Sequence, residues 1–165
     1  MTTIRKATYD DIPDIMAIYE SARQFMRSRG NTVQWSNGYP SMETIQKDID
    51  RDVCFVADSN GKLLFVFAFI VGYDPTYQKI DGEWLDDEPY GTIHRLASSG
   101  TTTGVFHSCL EFCLKIIGNI RVDTHEDNRP MRRVIEMEGF KRCGIIYVAD
   151  GTPRIAYQRN TVHTI

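Results

Sequence analysis

Residues 63–71 read LLFVFAFIV, nine consecutive apolar side chains, most of them aromatic or β-branched. Nine residues are far too few to cross a bilayer as a helix. The run lacks the in–out alternation of a strand with one wet face, so it reads as a strand, at about 62–72, covered on both faces. A strand of that kind demands packing layers above and below its sheet. The chain therefore needs helices enough for two faces, and the remaining periodicities are read against that requirement.

A second strand at about 53–58 precedes the run, separated from it by the hairpin signal Asp58-Ser59-Asn60-Gly61. A short strand fits residues 3–7. Asp11 can cap a helix with Pro13 in its first turn, and Ile12, Ile15, Met16, Tyr19, Ala22 and Met26 follow at helical spacing. A loop through Gln34-Trp35-Ser36-Asn37-Gly38-Tyr39-Pro40 leads to a helix at about 41–50, marked by Met42, Ile45 and Ile49. A strand at about 90–97, a helix at about 104–117 and a strand at 119–124 come next. Asn128 opens a helix to about Glu138, which Gly139 ends. Strands at about 140–149 and 153–158 flank Asp150-Gly151. The result is an α/β, mixed α+β sheet with helices on both faces.

The 165 residues contain no repeat and no Gly/Ser/Pro-rich linker, so 1–165 is expected to be a single domain. With 42% apolar and 25% charged residues it has the composition of a soluble globular chain. A net charge of −3 argues against a general nucleic-acid or anionic-membrane surface. No charged-then-apolar leader follows Met1, which argues against secretion. Cys54, Cys109, Cys113 and Cys143 form no CxxC. Cys109 and Cys113 stand one helical turn apart, but share their stripe with Phe106, Leu110, Ile116 and Ile117, which favours buried thiols over a metal. That usage suits a reducing cytoplasm, and no metal is expected.

Between the 90–97 strand and the next helix lies SSGTTTG, glycines and small hydroxyl residues only. A helix N-terminus presents free N–H groups and the positive end of the peptide dipole, and Gly104 permits close approach, so the turn suits a phosphate or pyrophosphate. The alternative is a flexible loop with Thr102 or Thr103 as N-cap. No Lys-Ser/Thr follows the glycine, so it is not a Walker loop, and GTTTG lacks the dinucleotide spacing.

The order of these features is a strand ending Arg95-Leu96-Ala97, an amide-rich turn, a helix, a short strand, and then Asn128 opening a helix that ends Glu138-Gly139-Phe140. Together with the opening Ile4-Arg5-Lys6-Ala7-Thr8 and Asp10-Asp11-Ile12, this resembles the GNAT superfamily of acyl-CoA-dependent N-acetyltransferases over almost all of Ile4 to Gln158. The resemblance implies a central, mostly antiparallel, splayed mixed sheet of about seven strands. It also implies acetyl-CoA as cosubstrate. The pantetheine arm would lie beside the 90–97 strand near Leu96 and Ala97, the pyrophosphate on amides from Thr102 through Thr103, Gly104, Val105 and Phe106 to His107, and Asn128 would border the arm. Measured on the family pattern Q/R-x-x-G-x-G/A, Thr101 stands at the Gln/Arg and Phe106 at the second small residue. Ile135 replaces the tyrosine that often protonates the departing thiolate.

Acetyl transfer needs a neutral amine, and at pH 7 roughly one lysine-like amine in 2,500 is neutral. His94, three residues before Ala97, is the candidate base, acting directly or through water; the alternative is a hydrogen-bonded structural histidine. By alternation it shares a face with Thr92 and Leu96. His125 reads as a turn and capping residue, His107 as a possible cofactor contact and His163 as part of a polar tail. Tyr147 is a substitute acid. Asp81, Glu83, Asp86, Asp87 and Glu88 around Trp84 and Tyr90 read as a solvated loop or as a mouth for cationic amines. Arg129, Arg132 and Arg133 read as an exposed helix face, one of which can meet the 3′-phosphate of coenzyme A. The expected activity is acetylation of a primary amine on a small molecule, peptide or protein. The rival is a non-catalytic acyl-CoA sensor, kept in play by Thr101, Phe106 and Ile135. Acetylation of aminoacyl-tRNA fits poorly with the negative charge.

Overall fold

The computed structural model describes residues 1–160; His163 lies outside them. Eight strands form one sheet in the order β1-β2-β3-β5-β6-β8-β7-β4. In chain order they are β1 (Thr2–Lys6), β2 (Cys54–Ser59), β3 (Lys62–Val71), β4 (Asp81–Gly82), β5 (Gly91–Ser98), β6 (Ile120–Thr124), β7 (Lys141–Tyr147) and β8 (Pro153–Arg159). The helices are α1 (Ile12–Ser28), α2 (Met42–Asp50), α3 (Val105–Leu114) and α4 (Arg129–Met137). Every pairing is antiparallel except β5 with β6. The expected mixed, mostly antiparallel sheet with helices on both faces is what the chain forms, with one strand more than expected.

The extra strand is β4, two residues long and too short to show a pattern in sequence. Backbone approach makes it possible: a Cβ on Gly144 would strike the backbone oxygen of Asp81, and one on Gly82 the backbone oxygen of Cys143.

β3 lies between β2 and β5, which explains its unbroken apolarity. Phe65, Phe67 and Phe69 join Phe106, Cys109, Leu110 and Cys113 of α3 and Ile135 of α4 in one core. Leu63, Val66, Cys54 and Val56 pack with Ile12, Ile15, Ile18 and Tyr19 of α1 and Ile45 of α2 in another. Removing each such aromatic or aliphatic side chain from water contributes about 1.5–3 kcal/mol. A third cluster, on Tyr77, Tyr90, Ile146 and Ala156, fills the far half of the sheet. The β2–β3 hairpin turns at Asn60-Gly61, both at positive φ, with the Asp58 carboxylate accepting the Gly61 N–H at 2.7 Å.

Asp11 occupies the N-cap position of α1, but its carboxylate points backwards. It accepts the Thr8 N–H at 2.8 Å and holds the Arg5 guanidinium at 2.8 and 2.9 Å, so it secures the preceding 3-10 turn instead of capping α1. Asn128 does cap α4, accepting the Met131 N–H at 3.2 Å. Gly139, at φ 84°, ends that helix as the sequence indicates.

Candidate functional site

β5 and β6 pair over only two positions, Gly91 with Ile120 and Thr92 with Arg121, and then part. Beyond the parting, β5 carries a bulge. Ala68 pairs with His94 and Val66 with Ala97, so Arg95 and Leu96 together oppose Phe67. Arg95 sits at φ 53°, a left-handed conformation that a long side chain adopts only under constraint. The constraint is visible. Its guanidinium binds the buried Asp48 carboxylate at 2.9 and 2.8 Å and the Tyr39 hydroxyl at 3.0 Å, while the Tyr19 hydroxyl donates to its carbonyl at 2.7 Å. Burial opposes the Arg95 charge, and Tyr39 and Asp48 more than offset it.

The parted strands open a cavity of about 580 Å³. Ile93 and Leu96 of β5 line it on one side, with Val122 and Thr124 of β6 and Asn128 and Met131 of α4 on the other. Trp35 and Tyr39, from the α1–α2 connection, also line it. The Asn128 amide donates to Gln34 Oε1 at 3.2 Å, tying that connection to α4.

His94 lines this cavity, and its Nε2 lies 2.8 Å from Asp74 Oδ2. Asp74 is fixed by its own surroundings. It caps the 3-10 turn Pro75–Tyr77 by accepting the Thr76 N–H at 2.9 Å, and its backbone N–H donates to the Tyr90 hydroxyl at 3.0 Å. Burial pushes the Asp74 carboxyl up, but the hydrogen bonds from His94 and Thr76 prevail and hold it below its ordinary value. With Asp74 ionised, the proton of neutral His94 belongs on Nε2, and Nδ1 keeps the lone pair. Asp74 is the residue that sequence reading missed. The Asp-Pro pair marks a capped turn, but nothing local places that turn beside a histidine twenty residues on.

The bulge also corrects the expected alternation. Ile93 and Leu96 both pack on the α3 side, and Ala97 on the α1 side. His94 therefore stays with Thr92 and Tyr90 on the face opposite Leu96.

In SSGTTTG neither Thr102 nor Thr103 caps α3. The N-cap is Gly104, at φ 67°, with no side-chain capping bond. A Cβ there would meet nothing within 4 Å, so glycine serves the backbone conformation. The first helical bond runs from Ser108 N–H to the Gly104 carbonyl, leaving the amides of Val105, Phe106 and His107 ahead of the ladder. These uncapped amides fit a pyrophosphate. The Phe106 ring does not cover them; it is buried against Phe140, with centroids 5.7 Å apart. The His107 ring turns towards Glu138 Oε1 at 2.7 Å and Glu111 Oε1 at 3.2 Å, and the Glu138 hydrogen bond chiefly raises its pKa. Its side chain is thus engaged between α3 and α4, while its amide stays in the first turn. Among the described residues Thr101 bonds only Ser99, hydroxyl to hydroxyl at 2.7 Å and N–H to hydroxyl at 3.4 Å.

Ile135 is fully buried, so that position holds no group facing the cavity. Tyr147 is half exposed and is not among the residues lining it. His125 is buried and accepts the Asp127 N–H at 3.0 Å within the turn before α4, while the cap itself is Asn128. The acidic 81–90 stretch does not line the cavity. Asp86 instead accepts Asn119 at 3.0 Å, Gln158 at 3.1 Å and Asn160 at 2.7 Å, and Arg121 is sandwiched between Trp84 and Tyr90. Arg129, Arg132 and Arg133 border a shallow depression on α4. Cys109 and Cys113 are buried thiols, and no group of side chains able to hold a metal occurs among the described residues. No helix among them is long and apolar enough to cross a membrane.

Neither a protein-family model nor a curated protein matches the chain. Solved structures do. A GNAT-family acetyltransferase from Streptococcus agalactiae 2603 is 32% identical, with a TM-score of 0.88 over 97% of this chain and 95% of that one. The chain belongs to the GNAT family of acetyltransferases. A GNAT-family acetyltransferase from Listeria monocytogenes 4b F2365 shares its fold at 19% identity and TM-score 0.73, covering 97% of this chain and 95% of that one. A ribosomal-protein-alanine N-acetyltransferase from Brucella melitensis does so at 15% and 0.64, covering 96% and 99%. The parted β5 and β6 are thus the centre of a GNAT fold, and membership supports acyl transfer as the chemistry.

Proposed function

We propose that this GNAT chain is a cytoplasmic N-acetyltransferase that moves an acetyl group from acetyl-CoA to a primary amine by direct attack on the thioester. The observation that carries this reading is the His94–Asp74 pair at 2.8 Å in the cavity where β5 and β6 part. Bound acetyl-CoA supplies an activated acyl group; the rest falls to the protein. Leu96 and Ala97 offer a strand edge to the pantetheine arm, with Asn128 across the gap. The amides from Thr102 to His107 receive the pyrophosphate. His94 Nδ1 takes the amine's proton, and Asp74 stabilises the imidazolium that forms and fixes the ring. The thiolate leaves without an acid from Ile135, since a thiol's pKa is below an amine's.

The second reading is a non-catalytic acyl-CoA sensor, favoured by the burial of Ile135, which removes the usual acid. Incubation with acetyl-CoA and a panel of amines, followed by free thiol release, separates the two. Amine-dependent release is expected; binding of acetyl-CoA with no release from any amine would establish the sensor.

A further inference from the structure

Arg154, the second residue of β8, lines the same cavity and is only 6% exposed. Its Nη1 donates to Thr152 Oγ1 at 2.9 Å and to the Pro153 carbonyl at 2.8 Å. Among the described residues no carboxylate oxygen lies within 4.0 Å of it, whereas Arg5, Arg23 and Arg95 each hold one at that range. Asp123 and Asp150 act on Arg154 only through space. Both have other partners: Asp123 accepts the Tyr77 hydroxyl at 2.6 Å, and Asp150 accepts the N–H and hydroxyl of Thr152. Burial lowers the Arg154 pKa, yet a guanidinium stays charged at neutral pH. A buried cation without a paired anion is costly, and the cavity is where its remaining donors find room.

The strand registers place Arg154 on the same side of the sheet as the base. Asp123 pairs with Ala156, so Arg154, two residues from Ala156, shares their face. Ala156 packs with Tyr90, which alternates onto the face of His94. Arg154 and His94 therefore look into the cavity from opposite sides of the gap between β5 and β6.

We propose that the acceptor carries a carboxylate beside its amine, as an α-amino acid does, and that the Arg154 guanidinium binds that carboxylate while His94 receives the amine. This rests on the acyl-transfer reading of the same site. A guanidinium fork matches a carboxylate in two parallel hydrogen bonds, which fixes orientation as well as position. A simple alkylamine or polyamine brings no anion to it.

The test is equilibrium binding to the full chain loaded with coenzyme A, using the common α-amino acids, each beside its decarboxylated amine, with ethanolamine phosphate as a phosphate probe. At least one amino acid is expected to bind roughly 10- to 100-fold more tightly than its decarboxylated partner, the worth of charge-assisted hydrogen bonds. Arg154→Gln is expected to erase that preference, and Arg154→Lys, which keeps the charge but loses the fork, to reduce it; melting curves verify that the variants fold. The assignment is overturned if no amino acid binds better than its amine, if only ethanolamine phosphate binds, or if the variants keep the preference. Thiol release is measured in parallel. Arg154-dependent amino-acid binding without release would count against acetyl transfer and leave the carboxylate assignment standing.

Discussion

His94→Ala is expected to lower kcat by roughly 10²-fold or more while acetyl-CoA binding persists, because it removes the proposed base and leaves the amide turn intact. The acid limb of the pH–rate profile is expected to vanish with it, and a surviving limb would make His94 structural. Asp74 adds a pH dependence of its own. Its carboxyl lies below the ordinary value in the folded protein, so the stability it contributes is complete above about pH 4 and is lost as pH falls through the depressed value. Melting temperatures of the protein and of Asp74→Asn are therefore expected to differ at pH 6 and to converge as pH falls below the ordinary carboxylate range; a constant gap would show that ionisation of Asp74 is not what stabilises the pair. Tyr147→Phe is expected to leave kcat unchanged, since that ring is half exposed and away from the cavity lining.

For α3, Gly104→Asp is expected to abolish the thermal stabilisation given by acetyl-CoA while the protein stays folded. Aspartate tolerates the left-handed conformation better than most residues, and the new Cβ meets nothing within 4 Å, but the added charge faces the site proposed for the pyrophosphate. A retained shift would place the phosphates elsewhere. In the 81–90 stretch, Asp86→Ala is expected to cost roughly 0.5–1.5 kcal/mol by removing one acceptor each from Asn119 and Gln158, which keep other partners, with no salt-dependent change in KM for a cationic amine. A change in KM without loss of stability would restore the steering role. The helices and longer strands were legible because their patterns are local: Ile12, Ile15 and Tyr19 repeat at helical spacing, and LLFVFAFIV admits few other readings. The N-cap at Asn128 and the stop at Gly139 were legible for the same reason. β4, the bulge at Arg95 and the Asp74–His94 pair were not. Each depends on a partner far along the chain: Gly144 for β4, Asp48 and Tyr39 for the bulge, and a turn twenty residues before His94.

Across the whole molecule the thiols report how far the fold opens. Cys54, Cys109 and Cys113 are buried, and burial pushes the Cys54 thiol up to about 12, so thiolate is scarce as well as hidden. Native labelling is expected to reach Cys143 first, and the other three only through large-scale opening. Saturating acetyl-CoA at 100 times its Kd would slow that opening-limited labelling by about 100-fold, equivalent to about 2.7 kcal/mol. Equal rates with and without acetyl-CoA would mean that binding and the global fold are not coupled.

The bulge in β5 can also be viewed as a change of phase. Before it, even-numbered side chains face one way; after it, odd-numbered ones do, and the offset is one residue. Deleting Arg95 would bring the two halves back into step, with Leu96 opposite Phe67 on the α3 side and Ala97 still on the α1 side. The strand would be straighter and both cores would keep their side chains, so the loss would fall on the buried Asp48, left without its counterion. Regular pairing holds on either side of the miscount, and the cavity opens beside the one place in β5 where the count is off by one.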